Sequence, residues 1–336
     1  MTVTGIPDLL SAGRTARTLA QVQTDFTRAA EELSTGRQSD VVAATGGDPV
    51  RLYAVERDLA LNAGRAINVD MAVSRAAVTQ TALARVEGAA NAVGAKLLAA
   101  VTIGDMTAAE LEAARSRDAF EEAVSALNSR FGDRSLFSGA ATDSPAIAGA
   151  SAILSEIAAR AAPSQTAEEV IATVDDYFTD PAGFATTGYL GSTTDASSAE
   201  ISPGQHVDYA IRADRDEIVT ALKALALGVM GAEGGFAGAT TSTRLAVMGE
   251  AGQRGLTASA GIVALRGEVG VAEERLETAK IRDSAERTFL QTARNNIISR
   301  DPFEAATEFN ALEQQLQTIF EVTARLSRLS LTNFLR

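Results

Sequence analysis

A chain of 336 residues with 46% hydrophobic content has the length for two domains at roughly 150 residues each, and enough apolar side chains to exclude disorder of the whole. It contains no cysteine, no tryptophan and a single histidine, which excludes disulfide scaffolds, Cys/His zinc centres and cysteine nucleophiles and leaves few parts for other common enzyme chemistry. The net charge of -13 opposes nonspecific attraction to nucleic acid or to an anionic membrane, and neither contact is expected.

The seven prolines divide the chain. Between Pro49 and Pro145, and again between Pro203 and Pro302, nothing forbids long helices. Near the N-terminus Leu19, Val22, Phe26, Ala29 and Leu33 alternate steps of three and four, the seam of a helix paired with another helix, and Ser34-Thr35-Gly36 stops it. A second helix is predicted to open at Asp48-Pro49, an N-cap followed by proline at the first helical position. It carries Leu52, Val55 and Leu59, then Leu83, Val86, Ala90, Val93 and Leu97, until Gly104-Asp105 ends it. Thr107 and Glu110 read as the capping box of a third helix with Leu111, Phe120, Val124 and Leu127 inward.

From about residue 140 to 215 the chain is rich in glycine, serine and threonine. Its short alternating runs, Ala199 to Ile201 and Val207 to Ile211, flank Ser202-Pro203-Gly204, which predicts a small β-containing insert with turns. Acidity concentrates here: residues 141–255 hold 15 acidic against 6 basic side chains. Helical spacing then returns with Leu265, Val269, Ala272, Leu276 and Ala279. A break follows at Ser299-Arg300-Asp301-Pro302, and a last helix carries Phe309, Leu312, Leu316, Ile319 and Leu326 almost to the end of the chain.

Candidate chemical sites are sparse. His206 and Asp208 share one face of a predicted strand, but two groups do not make a metal site and a surface polar pair is the better reading. Asp175-Asp176 and Glu168-Glu169 read as solvated acidic surface, because adjacent carboxylates on a helix do not face each other. Gly231, Gly234 and Gly235 lack the Gly-Lys-Ser/Thr ending of a phosphate loop and read as a connection between helices. Gly64, Gly88 and Gly94, inside the long helical run, are expected to permit close helix approach at about 1 kcal/mol each relative to alanine. No apolar stretch approaches the roughly 20 residues of a bilayer span, and Met1 to Leu10 lacks the pattern of a cleaved signal. No catalytic, metal or cofactor residue is assigned, and no enzyme activity is expected.

Leu33-Ser34-Thr35-Gly36-Arg37 resembles the turn that follows the first helix in the flagellin superfamily, and Gly47-Asp48-Pro49 is similar to its D-D-P with the first acid replaced by glycine. Gly270-Val271-Ala272-Glu273-Glu274-Arg275-Leu276-Glu277 resembles the family's G-A-x-x-x-R-L-E stretch. The segment from Ser299 to Glu308 resembles S-R-I-x-D-x-D-x-A-x-E, shortened and with proline inserted, and the ending from Leu329 to Arg336 matches the family's terminal habit. These cover roughly residues 10–140 and 240–336. Within the superfamily the hook-associated protein 3 branch, which joins hook to filament, fits best. Phe131-Gly132-Asp133-Arg134-Ser135-Leu136-Phe137-Ser138-Gly139 is similar to its G-x-Y-L-F-x-G with serine for tyrosine. Gly188-Tyr189-Leu190-Gly191, with Ile201, Pro203-Gly204 and Val207, resembles its β-insert.

The resemblance implies a mainly α, elongated bundle and coiled coil built from the two ends, with a small β-containing middle domain. The implied parts are an N-terminal coiled-coil segment (1–45) and the N-terminal half of a helical rod (46–140). An outward-facing β-containing insert (141–215), the C-terminal half of the rod (216–300) and a C-terminal coiled-coil segment (301–336) follow. Leu19, Val22, Phe26 and Leu33 would pack against Phe309, Leu312, Leu316, Ile319 and Leu326, becoming ordered on assembly. The implied partners are further copies of the chain, a neighbouring hook-associated protein and flagellin, and an export chaperone and apparatus that carry it to the extracellular flagellum without a cleaved signal. Filament flagellin, and a cytoplasmic helical scaffold unrelated to flagella, remain the alternatives.

Overall fold

The computed structural model describes residues 6–196 and 198–334; the side chains of residues 6–12, 41, 43 and 326–334 are outside the description. The fold is mainly α. In chain order it comprises α1 (Ile6–Thr35), α2 (Val41–Ala44), α3 (Val50–Ile103), α4 (Met106–Leu127), β1 (Arg130–Phe131) and β2 (Arg134–Ser135). It continues with α5 (Ala150–Ala161), α6 (Ala167–Thr179), a π-helical turn (Phe184–Gly188), β3 (Ala199–Ser202), β4 (Gln205–Val207), α7 (Asp216–Glu233), α8 (Thr241–Ile298) and α9 (Pro302–Phe334). Its β content among the described strands is two antiparallel hairpins, β1–β2 and β3–β4.

The chain forms two compact units, residues 1–63 with 284–336, and Gly64–Asp283, the boundary falling within α3 and α8. In the second unit the predicted seams are the core. Leu83, Val86, Ala90 and Leu97 of α3 are essentially inaccessible, as are Phe120 and Leu127 of α4 and Leu265, Val269 and Leu276 of α8. The apolar face of α7, from Ile218 to Val229, belongs to the same cluster. Burial of these faces, rather than propensity, holds such helices together. Leu111, expected inward, is exposed. The α4 N-cap is Asp105, which accepts a hydrogen bond from the Ala108 amide at 3.1 Å, so the cap lies two residues before the one expected at Thr107.

The acidic middle departs from a turn-rich β reading. Ile153, Leu154 and Ile157 of α5 and Val170, Val174 and Tyr177 of α6 recur at helical spacing and are buried. The α6 start is a capping box: Thr166 Oγ1 accepts from the Glu169 amide at 3.2 Å and Glu169 Oε2 from the Gln165 amide at 2.6 Å. The predicted hairpin does form around Pro203-Gly204, but its second strand ends at Val207. The Phe131–Gly139 and Gly188–Gly191 segments lie together: the Ser192 amide donates to the Ser138 carbonyl at 2.9 Å and the Ala148 amide to the Gly188 carbonyl at 2.8 Å.

One 18-residue window of α3 is long and apolar enough to cross a membrane by length and composition, contrary to the expectation that no stretch approaches that limit. Of that window 39% is buried, and the helix's Leu83, Val86 and Leu97 face the protein core.

Candidate assembly surface

In the first unit the breaks at the two ends of the sequence meet. Gly36 stops α1 with φ at +66°, a left-handed conformation that favours glycine. The chain beyond it bridges to the break between α8 and α9: the Gln38 amide donates to the Ile298 carbonyl at 2.8 Å and the Arg300 amide to the Gly36 carbonyl at 3.0 Å. Glu32, buried at the end of α1, accepts from the Ser39 amide at 2.9 Å and lies 3.7 Å from Arg300, which also pairs with Glu308. Asp301 Oδ1 caps α9, accepting from the Phe303 amide at 2.8 Å and the Glu304 amide at 3.2 Å. These bonds place α1 and α9 side by side.

Along this pair the residues marked by the heptad spacing differ in burial. Val22, Ala29 and Ala305 are buried, and the rings of Phe26 and Phe309 stand 4.8 Å apart at 30°. Leu19, Leu312, Leu316 and Ile319 are half-buried. Leu33 is 38% exposed, outside the tight part of the seam. The side chain of Leu326 lies outside the described residues.

Large apolar side chains that the spacing argument did not single out also face solvent in this unit: Phe303 is 80% and Phe289 71% exposed, joined by Tyr53, Phe320 and Val322. Phe289 lines a groove of about 490 Å³ with Ala44, Asp48, Arg51, Asn296 and Ile297. The available signal was local: Phe303 follows the proline that opens α9, and Phe320 adjoins Ile319 on the amphipathic helix. Contiguous exposed apolar surface marks interaction sites, and these side chains are the candidates for one.

The second unit separates the three glycines of the long run. A side-chain carbon at Gly94 would lie 2.9 Å from the Leu256 amide nitrogen and 3.0 Å from the Gly255 carbonyl carbon, so α3 and α8 cross there backbone to backbone. Gly64 and Gly88 have nothing within 4 Å of that position, so close approach within the chain explains only Gly94. Gly88 instead lines an open groove of about 490 Å³ with Ala89 and Ala92 of α3 and Glu112, Arg115 and Asp118 of α4.

The remaining candidates resolve into structural roles. Asp175, read as solvated, hydrogen-bonds Arg254 at 2.7 Å and pairs with Lys223 at 3.4 Å. Burial alone would raise its carboxyl, but the two cations outweigh burial and hold it below its ordinary value. Glu169 belongs to the α6 cap. His206 is exposed on β4 opposite Glu200. Gly234 ends α7, whereas Gly231 lies within that helix against Met248. Tyr189 donates to the Ser192 carbonyl at 2.8 Å; burial first, then the charge of Asp214, push its phenol up to about 12.

Residues 256–335, most of α8 with all of α9, match the profile of the bacterial flagellin C-terminal helical region. Among solved structures the chain is similar to a Vibrio parahaemolyticus protein provisionally described as flagellar hook-associated. The TM-score is 0.50 and the identity 12%, over 77% of this chain and 98% of that one. Comparison with curated protein sequences gives no match. The profile match is confined to the C-terminal part of the chain, and the structural likeness, at 12% identity, bears on the mainly α fold alone.

Proposed function

We propose that the chain is a non-enzymatic structural subunit of the bacterial flagellum that polymerises outside the cell at the junction between hook and filament. The observation that carries this reading is the α1–α9 pair, joined through Phe26 and Phe309 yet leaving its seam half-buried and Phe303, Phe320 and Val322 exposed. Helices with apolar side chains so exposed have area left for neighbouring copies. Leu19, Val22, Phe26 and Leu33 with Phe309, Leu312, Leu316, Ile319 and Leu326 form the core of that interface. In the assembled state it extends over a neighbouring hook-associated protein on one side and flagellin on the other.

Before assembly the same amphipathic α9 is a fit ligand for the groove of an export chaperone, which would deliver the chain to the flagellar export apparatus. The terminal helices gain their main protection on assembly. Hydrogen exchange that finds residues 15–33 and 305–325 strongly protected in the isolated monomer contradicts that part of the reading. Filament flagellin is the second reading, favoured by Gly47 where the junction branch has an acid and by Ser135 where it has tyrosine. A deletion strain separates the two: hooks that form while flagellin escapes into the medium support the junction role. Loss of filament with all junction proteins present supports flagellin, and unaffected flagella refute both.

A further inference from the structure

A small cleft in the second unit, independent of the flagellar reading, is built for an anion. It is lined by Arg75 and Thr79 of α3, by Arg134 and Ser135 of β2, and by Thr142 and Tyr209. Ser135 is 95% buried by its 5% residual exposure, and its hydroxyl has no hydrogen-bond partner among the described residues. Its amide is already committed to the Thr142 carbonyl at 2.8 Å, so the hydroxyl alone is left to serve something in the cleft. Arg75 repeats the pattern. Its guanidinium lies over the Phe131 ring at 5.9 Å and donates from Nη1 to the Tyr209 hydroxyl at 3.4 Å, while its buried Nε–H has no acceptor.

Buried donors without acceptors are costly and uncommon, and here two of them belong to residues that line one cleft, with the exposed Arg134 among the same lining residues. No carboxylate lines the cleft among the described residues, although the chain as a whole carries an excess of acid. The cleft volume is about 30 Å³. That is room for more than a single water, enough to admit a compact polyatomic ion. Paired guanidinium groups with a hydroxyl donor match the several acceptor oxygens of a tetrahedral oxyanion.

We propose that this cleft binds a small inorganic oxyanion of the phosphate or sulfate class, held by Arg75, Arg134 and the Ser135 hydroxyl. The ion would tie the β1–β2 hairpin to α3.

Titration calorimetry of the full chain with inorganic phosphate, at constant ionic strength set by chloride, tests it. The expected result is saturable binding of one phosphate per chain, weakened about tenfold or more by Arg75→Gln and by Arg134→Gln. Arg134 is exposed, so its variant folds regardless of the cleft. Ser135→Ala supplies a second signature: without phosphate it leaves the thermal midpoint unchanged or higher, because it removes an orphaned hydroxyl, and with saturating phosphate it loses part of the ion's stabilisation. Absence of saturable phosphate binding, or binding undiminished in both arginine variants, overturns the assignment.

Discussion

Replacing Gly94 and Gly88 by alanine on the same helix should change stability in opposite directions. Both substitutions gain about 1 kcal/mol of helix propensity. At Gly88 the new methyl meets nothing within 4 Å, so that gain stands. At Gly94 it would sit 2.9 Å from the Leu256 nitrogen, 3.0 Å from the Gly255 carbonyl carbon and 3.1 Å from the Gly252 oxygen. Those atoms are backbone and cannot swing aside as a side chain would. Since comfortable carbon contacts lie near 3.5–4.0 Å, α3 and α8 must part locally by roughly half an ångström or more. Such overpacking costs about 1–3 kcal/mol, and the partner side offers no relief, for Gly252 and Gly255 are equally close to α3. The two variants should therefore differ by about 1–3 kcal/mol. Thermal or urea unfolding of the dilute monomer reads this directly: for a unit of this size about 2–4 °C in Tm accompanies each kcal/mol. A Gly94→Ala protein as stable as the Gly88→Ala protein refutes the backbone crossing.

Phe26→Ala and Phe309→Ala should each destabilise the first unit. The double variant should fall short of additivity by about 0.5–1.5 kcal/mol, the worth of an aromatic pair; a fully additive double-mutant cycle removes that contact from the account. Gly88→Leu should leave the monomer folded by circular dichroism yet disturb assembly by filling the α3–α4 groove, and unchanged assembly counts against that groove as a subunit contact. Asp175, held below its ordinary 3.8 by Arg254 and Lys223, contributes stability above that value and loses it as pH falls through the lowered folded one. Asp175→Asn should therefore be less stable at pH 7 and lose less between about pH 5 and pH 2. Tyr189, raised from 10.0 to about 12, stabilises fully below pH 10 and progressively less as pH rises toward 12. Tyr189→Phe should flatten that alkaline decline, and unfolding curves at pH 9 and pH 11.5 measure it.

The long helices were legible because their burial is periodic: Leu83, Val86, Ala90 and Leu97, and Leu265, Val269 and Leu276, read as seams and are buried. The breaks at Gly36 and Asp301-Pro302 were equally plain, since each needs a residue that ends or opens a helix. The middle was harder. Val170, Val174 and Tyr177 carry helical spacing and Thr166 with Glu169 a capping box, but surrounding glycine, serine and threonine drew attention to the one hairpin. Spacing also treats Gly64, Gly88 and Gly94 alike; only the position of Gly252 and Gly255 on α8 distinguishes Gly94. Leu111, which faces solvent, precedes Phe120, which faces the core, by about two and a half helical turns; the three-four spacing of buried Ala109, Ala113, Ser116 and Phe120 passes it by, but small residues made that seam less visible than a leucine. The cleft at Arg75 and Ser135 unites residues 60 positions apart, beyond the reach of any motif.

The central claim is a location, and immunogold electron microscopy of native flagella with an antibody to this chain tests it most directly. Label confined to the boundary between hook and filament is the expected result. Label distributed along the whole filament, or confined to the cytoplasm, contradicts it.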